Sequence, residues 1–163
     1  MMRYGFQACL LGLAFSQLVY GEGEQSASAE SFQRCAVCHL ATGEGVPGAF
    51  PPLRGRIADI AASPEGRNYL IAVVNTGLMG SITIGGIPYM GVMPAQGPSH
   101  DAKSIRDALN YSVQVLDRDN VQPDWQPFSI DEVRRVISAE PATSAMENGR
   151  LRQDLLSKYP SLQ

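Results

Sequence analysis

The feature that most constrains this chain is a five-residue segment in which two cysteines, Cys35 and Cys38, are followed directly by His39. Residues three apart are neighbours on a helix, so the C-x-x-C-H spacing lets both thiols reach the same side. The imidazole of the next residue then projects beside them. Because the whole chain holds three Cys and two His, a site built from these residue types uses nearly all of them.

Three kinds of site can use this segment. A thioredoxin-like redox pair favours a βαβ pattern around the C-x-x-C, which this sequence lacks. A zinc site would need Cys35, Cys38, His39 and His100, but two adjacent residues do not easily occupy two corners of one tetrahedron. The spacing instead predicts covalent attachment of one haem, in which the two thiols join the vinyl groups and His39 ligates the iron.

A haem iron held by His39 needs a second axial ligand or has an open position. A methionine thioether is a soft donor that raises the reduction potential. We predict Met93 as this ligand, because a flexible glycine backbone precedes it and Pro94, with its fixed φ, follows it. Met90 is the reserve candidate, and His100 is the competing imidazole.

The N-terminus is typical of a secretory signal peptide. A single basic residue, Arg3, precedes an apolar run over residues 4–20, and polar residues follow. An uncleaved anchor is the alternative, but 17 residues with three polar side chains are short for a bilayer span. We therefore predict a signal peptide over 1–21 and export to the periplasm, with no stable membrane anchor after cleavage.

The charge balance argues against a nucleic-acid partner. The chain carries 13 Lys and Arg against 16 Asp and Glu, a net charge of -3, which provides no basic field for a phosphate backbone. Loss of Arg3 with the signal peptide leaves 12 basic and 16 acidic residues. This acidic surface favours a basic patch on a protein partner.

Four further segments follow the C-x-x-C-H motif in order: a glycine loop at 43–48, Phe-Pro-Pro-Leu-Arg-Gly at 50–55, Tyr-Leu at 69–70, and Tyr-Met-Gly-Val-Met-Pro at 89–94. With this order and spacing, residues 28–116 resemble the class I c-type cytochromes. The resemblance implies an all-α class I cytochrome c fold around one covalently bound haem c. It also implies that the carbonyl of Pro51 accepts the N–H of the proximal His39, a bond that fixes the ring.

More narrowly, the Phe-Pro-Pro-Leu segment and the Tyr-x-Gly-x-Met-Pro loop look like those of monohaem periplasmic cytochromes that accept electrons from periplasmic dehydrogenases or belong to them. The resemblance implies redox protein partners, a dehydrogenase donor and an oxidase or reductase acceptor. We therefore predict an electron-transfer protein, not an enzyme. Two alternatives stay open: a haem c subunit of an exported dehydrogenase complex, and a haem enzyme or gas sensor with an open sixth site.

The carboxylates of a haem need charged or hydroxyl donors near the haem edge. Surface solvation is the alternative role for each of the arginines that could serve. The predicted donors are Arg54, Arg56, Arg67 and Tyr69.

The chain divides into a signal peptide (1–21), a cytochrome c domain (22–116) and a helical C-terminal extension (117–163) that packs on the haem domain. In the middle segment we expect helices over 30–40, after Ser63-Pro64, and over 101–116. Between residues 81 and 89 we expect an extended loop rather than a hairpin.

The C-terminal extension contains two S-x-x-E capping boxes, one at Ser129 with Glu132 and one at Ser144 with Glu147. In such a box each side chain satisfies a backbone N–H of the first helical turn. Each box therefore predicts the start of a helix. The apolar content of these helices is too low for a second core, so we expect them to cover the haem domain or to dock a partner.

Overall fold

The structure, a computed structural model, describes residues 21–162, with side chains from residue 26 onward. The predicted signal peptide therefore lies outside the described residues, except for Gly21. No helix in the described part of the chain combines the length and the apolar character that a bilayer crossing needs.

Helices make up most of the described chain. The α-helices are α1 (Gly21–His39), α2 (Ile57–Ile60), α3 (Pro64–Thr76), α4 (Ala102–Tyr111), α5 (Ile130–Ile137) and α6 (Ala145–Lys158). The strands are β1 (Leu78–Ile84) and β2 (Ile87–Met93). A π-helical turn, Ser112–Leu116, continues α4. Short 3-10 turns lie at Gly97–Ser99, Arg118–Asn120 and Pro160–Leu162.

Helix α1 packs on α4 and ends at the C-x-x-C-H segment. Phe32, one turn before Cys35, is buried, and its ring centroid lies 5.2 Å from that of Tyr111. From α4, Ile105 and Leu109 enter the hydrophobic core. This contact anchors the end of α1, and with it both cysteines and the histidine, against the rest of the molecule.

Helix α3 begins as its sequence predicts. The Ser63 hydroxyl accepts a hydrogen bond from the backbone N–H of Gly66 at 3.1 Å, and Pro64 occupies the first turn. Gly66 packs so closely on α2 that a Cβ there would lie 1.8 Å from the carbonyl oxygen of Ile60. The helix ends at Thr76, and Gly77, its C-cap, has a φ of 86°.

An antiparallel hairpin follows α3, so the expected loop over 81–89 is wrong and the fold is mostly helical rather than all-α. Its register pairs Leu78 with Met93 at the open end and Ile84 with Ile87 at the turn. The two turn residues, both glycine, have φ angles of 55° and 79°. A two-residue turn with both φ angles positive matches the twist of paired strands, and two glycines adopt it without steric cost.

The C-terminal extension shares the core of the preceding residues. Both predicted capping boxes are confirmed, at Ser129 for α5 and Ser144 for α6. α5 packs on α3 and α4, whereas α6 packs on α3 and β1. Phe128, Val133 and Leu155 are fully or almost fully buried in the same cluster as the side chains of α2, α3 and α4. The extension therefore contributes to one continuous hydrophobic core.

Asp117 joins the start of the extension to α2. Its carboxylate is buried and accepts hydrogen bonds from the backbone N–H groups of Gly55 (2.7 Å) and Ala58 (2.8 Å). The side-chain amide of Asn120 donates a third bond at 2.7 Å. Three donors compensate the burial of this charge.

Candidate functional site

The proximal side of the site is centred on His39, the last residue of α1. The ring is buried, and its Nδ1 lies 2.8 Å from the carbonyl oxygen of Pro51. A carbonyl can only accept, so Nδ1 carries the proton and donates, which leaves the lone pair of Nε2 available. Burial lowers the pKa of His39 and the bond to Pro51 opposes this. The ring is thus held in the neutral tautomer that ligates metals.

The glycine loop after α1 brings Pro51 to the histidine. The N–H of Gly45 donates to the carbonyl oxygen of His39 at 3.0 Å. Gly45 has a φ of 64°, and a Cβ there would lie 2.3 Å from the carbonyl oxygen of Phe50. Only glycine fits this close approach of two backbone segments. The loop sequence therefore folds the chain back so that residue 51 meets the imidazole.

Cys35 and Cys38 are not joined by a disulfide, and both are partly buried. Burial, with a smaller contribution from neighbouring Cys38, raises the pKa of the Cys35 thiol to about 11. A thioredoxin-like nucleophile needs the opposite shift. Within the described residues no three Cys, His, Asp or Glu side chains converge as they would around a metal ion.

His39 and Met93 line the same cavity, which has a volume of about 110 Å³ and also includes Cys35 in its wall. Aliphatic side chains from α2, α3, β1 and α4 form most of the remaining wall. A second cavity of about 210 Å³ shares His39, Pro51 and Met93 with the first and includes Cys38. The two cysteines, the histidine and the methionine therefore surround one apolar region.

The structure distinguishes Met93 from the other candidate ligands. Met93 ends β2 and lines both cavities, and Gly77 approaches its backbone so closely that a Cβ would lie 2.5 Å from the Met93 carbonyl oxygen. Met90 is 78% exposed and lines only the second cavity. His100 lines neither cavity, and its Nδ1 lies 3.3 Å from the carbonyl oxygen of Gln96.

Two of the four predicted carboxylate donors, Arg56 and Tyr69, line the cavity with His39 and Met93. Nη1 of Arg56 is buried without a hydrogen-bond partner among the described residues. Burial, and then the charge of Arg152, lowers the pKa of Arg56 to about 10. Burial raises the pKa of the Tyr69 hydroxyl, and the two arginines oppose this rise.

The other two predicted donors, Arg54 and Arg67, lie away from the cavity. The Arg54 side chain is 53% exposed and lies 4.0 Å from the carboxylate of Glu44. Arg67 donates to both carboxylate oxygens of Glu132 at 2.6 Å and stacks 3.9 Å above the ring of Phe128. Its guanidinium is thus already paired and packed between α3 and α5.

Arg152 on α6 also lines the cavity, although it was not among the predicted donors. The residue is 4% exposed, and its Nη2 has no hydrogen-bond partner within the described chain. No local pattern in the sequence indicated this placement, because two of the three residues on the buried face of α6 are polar. Asn148, Arg152 and Leu155 follow helical spacing and form the buried face of α6. An arginine on the buried face of a helix needs a partner or a ligand.

Two relatives are similar to this chain over most of their length. Cytochrome c-552 of Thermus thermophilus is 38% identical over 112 residues, which cover 69% of this chain and 85% of the relative. Cytochrome c-552 of Thermus thermophilus strain DSM 579 is also 38% identical over 112 residues, which cover 69% of this chain and 75% of that relative. The matched length exceeds that of segment 28–116. No protein-family model matches the chain.

The residues of the site fit a haem c. The apolar wall suits the porphyrin faces, Cys35 and Cys38 border the cavities, and His39 offers a neutral imidazole. The buried nitrogens of Arg56 and Arg152 that have no partner in the described residues suit an anionic group. With the identity to cytochrome c-552, these features show that the chain belongs to the family of the monohaem c-type cytochromes, electron-transfer proteins with covalently attached haem c.

Proposed function

We propose that this protein is a periplasmic electron carrier that passes single electrons from a dehydrogenase to an oxidase or reductase, with His39 and Met93 as axial ligands. The observation that carries the proposal is that both side chains line one apolar cavity beside Cys35. When bound, the haem supplies reversible ferric–ferrous chemistry, and the protein supplies ligation and burial.

His39 is held ready for ligation by the backbone. The bond from Nδ1 to the Pro51 carbonyl oxygen, 2.8 Å long, fixes the ring plane and leaves Nε2 for the iron. A hydrogen bond donated by the ring nitrogen that does not bind the metal also increases the donor strength of a ligating histidine. The glycine loop and Pro51 therefore control both the orientation and the electronic character of this ligand.

Met93 is held by the hairpin. Its backbone pairs with Leu78 at the open end of the two strands, beside the close approach of Gly77. A thioether stabilises ferrous over ferric iron, which suits a carrier of relatively high potential. The surrounding wall is mostly aliphatic, so few protein dipoles beside the iron need to reorient when its charge changes.

An exposed apolar patch near Cys38 supports this surface as the docking site for the redox partners. Phe50, Met90 and Val92 line the second cavity with Cys38 and are 40%, 78% and 60% exposed. Val37, the residue before Cys38, is 78% exposed. Contiguous exposed apolar residues mark interaction sites. At this patch the partner would therefore contact apolar side chains, and the net negative charge of the chain would act only at longer range.

The visible spectrum of the haem-loaded protein, with carbon monoxide added to the ferrous form, tests Met93. Met93→Ala should open the iron to carbon monoxide and lower the reduction potential, because the thioether is lost. Met90→Ala is the matched control, since this exposed residue of the same strand should leave the spectrum and the response to carbon monoxide unchanged.

A native spectrum and potential for Met93→Ala would overturn the ligand assignment. A wild-type ferrous protein that itself binds carbon monoxide would indicate an open sixth site, and would favour the alternative of a haem enzyme or gas sensor.

A further inference from the structure

Helix α6 is fastened to the part of the chain that precedes the hairpin. Its buried Asn148 donates from Nδ2 to the carbonyl oxygens of Gly77 (2.7 Å) and Ala72 (3.2 Å) and to the Thr76 hydroxyl (2.8 Å). One turn further on, Arg152 is carried by the same buried face. The packing of α6 on α3 and β1 therefore fixes where the Arg152 side chain enters the cavity.

Arg152, which is buried, and Arg56, which is half-buried, place two like charges in the cavity wall. Each has a guanidinium nitrogen that is inaccessible to water and lacks a hydrogen-bond partner among the described residues. Neither forms an ion pair with an acidic side chain in that part of the chain, whereas Arg54 and Arg67 do. Burying an uncompensated charge is costly, and two like charges add repulsion. The arrangement calls for an anion in the cavity.

We propose that Arg152 and Arg56 bind the propionate carboxylates of the haem, so that the C-terminal extension is part of the cofactor site. A guanidinium presents N–H donors in a fork that matches a carboxylate, and such pairs are stronger when desolvated. Tyr69 lines the same wall, and its hydroxyl is a further possible donor group. The inference rests on the haem c of the family and does not depend on Met93 as the axial ligand.

Arg152→Gln tests this proposal in the haem-loaded protein. A positive charge near the haem disfavours the ferric state, so its removal should lower the midpoint potential. We expect about a tenfold change in the ferric-to-ferrous ratio at a fixed applied potential, which is about 59 mV for one electron. The resonance Raman band of propionate bending should also shift, because it responds to hydrogen bonding at the carboxylate.

Arg150→Gln is the matched control. It removes the same charge from the same helix at an exposed position, and it should change the potential much less and leave the propionate band in place. Arg152→Lys keeps the positive charge, so its midpoint potential should lie closer to that of the wild type. It loses the forked hydrogen bonds to the carboxylate, so the propionate band should still shift. In each variant the visible spectrum reports axial ligation separately, so a failure of the Met93 assignment is distinguishable from a failure of this proposal.

Equal potentials for the two glutamine variants, with an unchanged propionate band, would overturn the proposal. If the substitutions prevent folding, the wild-type protein decides. Nuclear Overhauser contacts between the Arg152 side chain and the propionate methylenes are expected in the ferrous form, and their absence would refute the contact.

Discussion

Residues 35–39 and helix α6 contribute to the same cavity, but their sequences differ in how clearly they indicate this role. The first segment is a motif in which the thiols and the imidazole each have a predicted task in holding a haem. The second is a helix whose buried face contains one amide and one guanidinium, Asn148 and Arg152. The comparison teaches that a short motif identifies the cofactor, whereas the packing of a distant helix completes the wall around it.

The two segments also differ in the range of the contacts that hold them in place. The end of α1 is held by local backbone bonds, such as the one from the Gly45 N–H to the His39 carbonyl oxygen. The extension is held by long-range contacts, because Phe128, Val133 and Leu155 are buried in the core formed with α2, α3 and α4. Loss of the extension should therefore affect the whole fold, not only the cavity.

The strongest test of this comparison is to end the chain after Asn120. The truncation removes the three buried side chains of the extension that enter the core, each worth about 1.5–3 kcal/mol. Their sum approaches the whole stability of an ordinary domain, about 5–15 kcal/mol. We expect the haem-loaded truncated protein to lose its cooperative thermal transition, as measured by circular dichroism.

A truncated protein that unfolds within a few degrees of the full chain would contradict this view. The extension would then be a cover laid on an independent domain, as the low apolar content of its helices suggests.

A smaller effect is expected at the junction between the two regions. Asp117→Asn places an amide where the carboxylate accepts from Gly55, Ala58 and Asn120. An amide has one acceptor oxygen instead of two, so a buried donor loses its partner at a cost of about 1–3 kcal/mol. Chemical denaturation measures this loss. Asp119→Asn is the control, since its side chain is 77% exposed and should change the unfolding free energy little.

If the Asp117 and Asp119 variants are equally stable, the buried carboxylate does not hold the junction.

The ion pair between Arg67 and Glu132 tests how the extension is held at a point away from the cavity, because it joins α3 to α5. The hydrogen bond from Arg67 lowers the pKa of Glu132 below its usual value. The pair therefore stabilises the fold above the unfolded pKa of about 4.3. That stability is lost as the pH falls through the lower folded pKa.

Glu132→Gln should cost about 2 kcal/mol at pH 7, the usual size for a hydrogen bond to a charged group. Denaturation from pH 7 to pH 3 should show the difference from wild type shrinking toward the acidic end. Asp131→Asn, at a side chain that is 88% exposed, should show no such convergence. A difference that stays constant with pH would mean that the charge of Glu132 is not involved.

Much of the local structure could be predicted because its causes lie within a few residues. The helix starts at Ser63, Ser129 and Ser144 were predicted from side chains that bond to their own first turn, and the structure confirms them. The hairpin was missed because its strands lack clear alternation, although its two-glycine turn was visible. Two glycines between apolar segments are a stronger hairpin signal than the weak periodicity of the flanking strands.

The sequence by itself determined the class of the protein and the local framework of its site. The C-x-x-C-H segment, the glycine loop and the capping boxes act through neighbours in the chain, so their meaning does not depend on the rest of the fold. Only the tertiary structure decided which arginines face the cavity. Arg67 pairs with Glu132 and Arg54 faces solvent, whereas Arg152 reaches the wall from a helix far along the chain. Such placements depend on long-range packing, which no local pattern encodes.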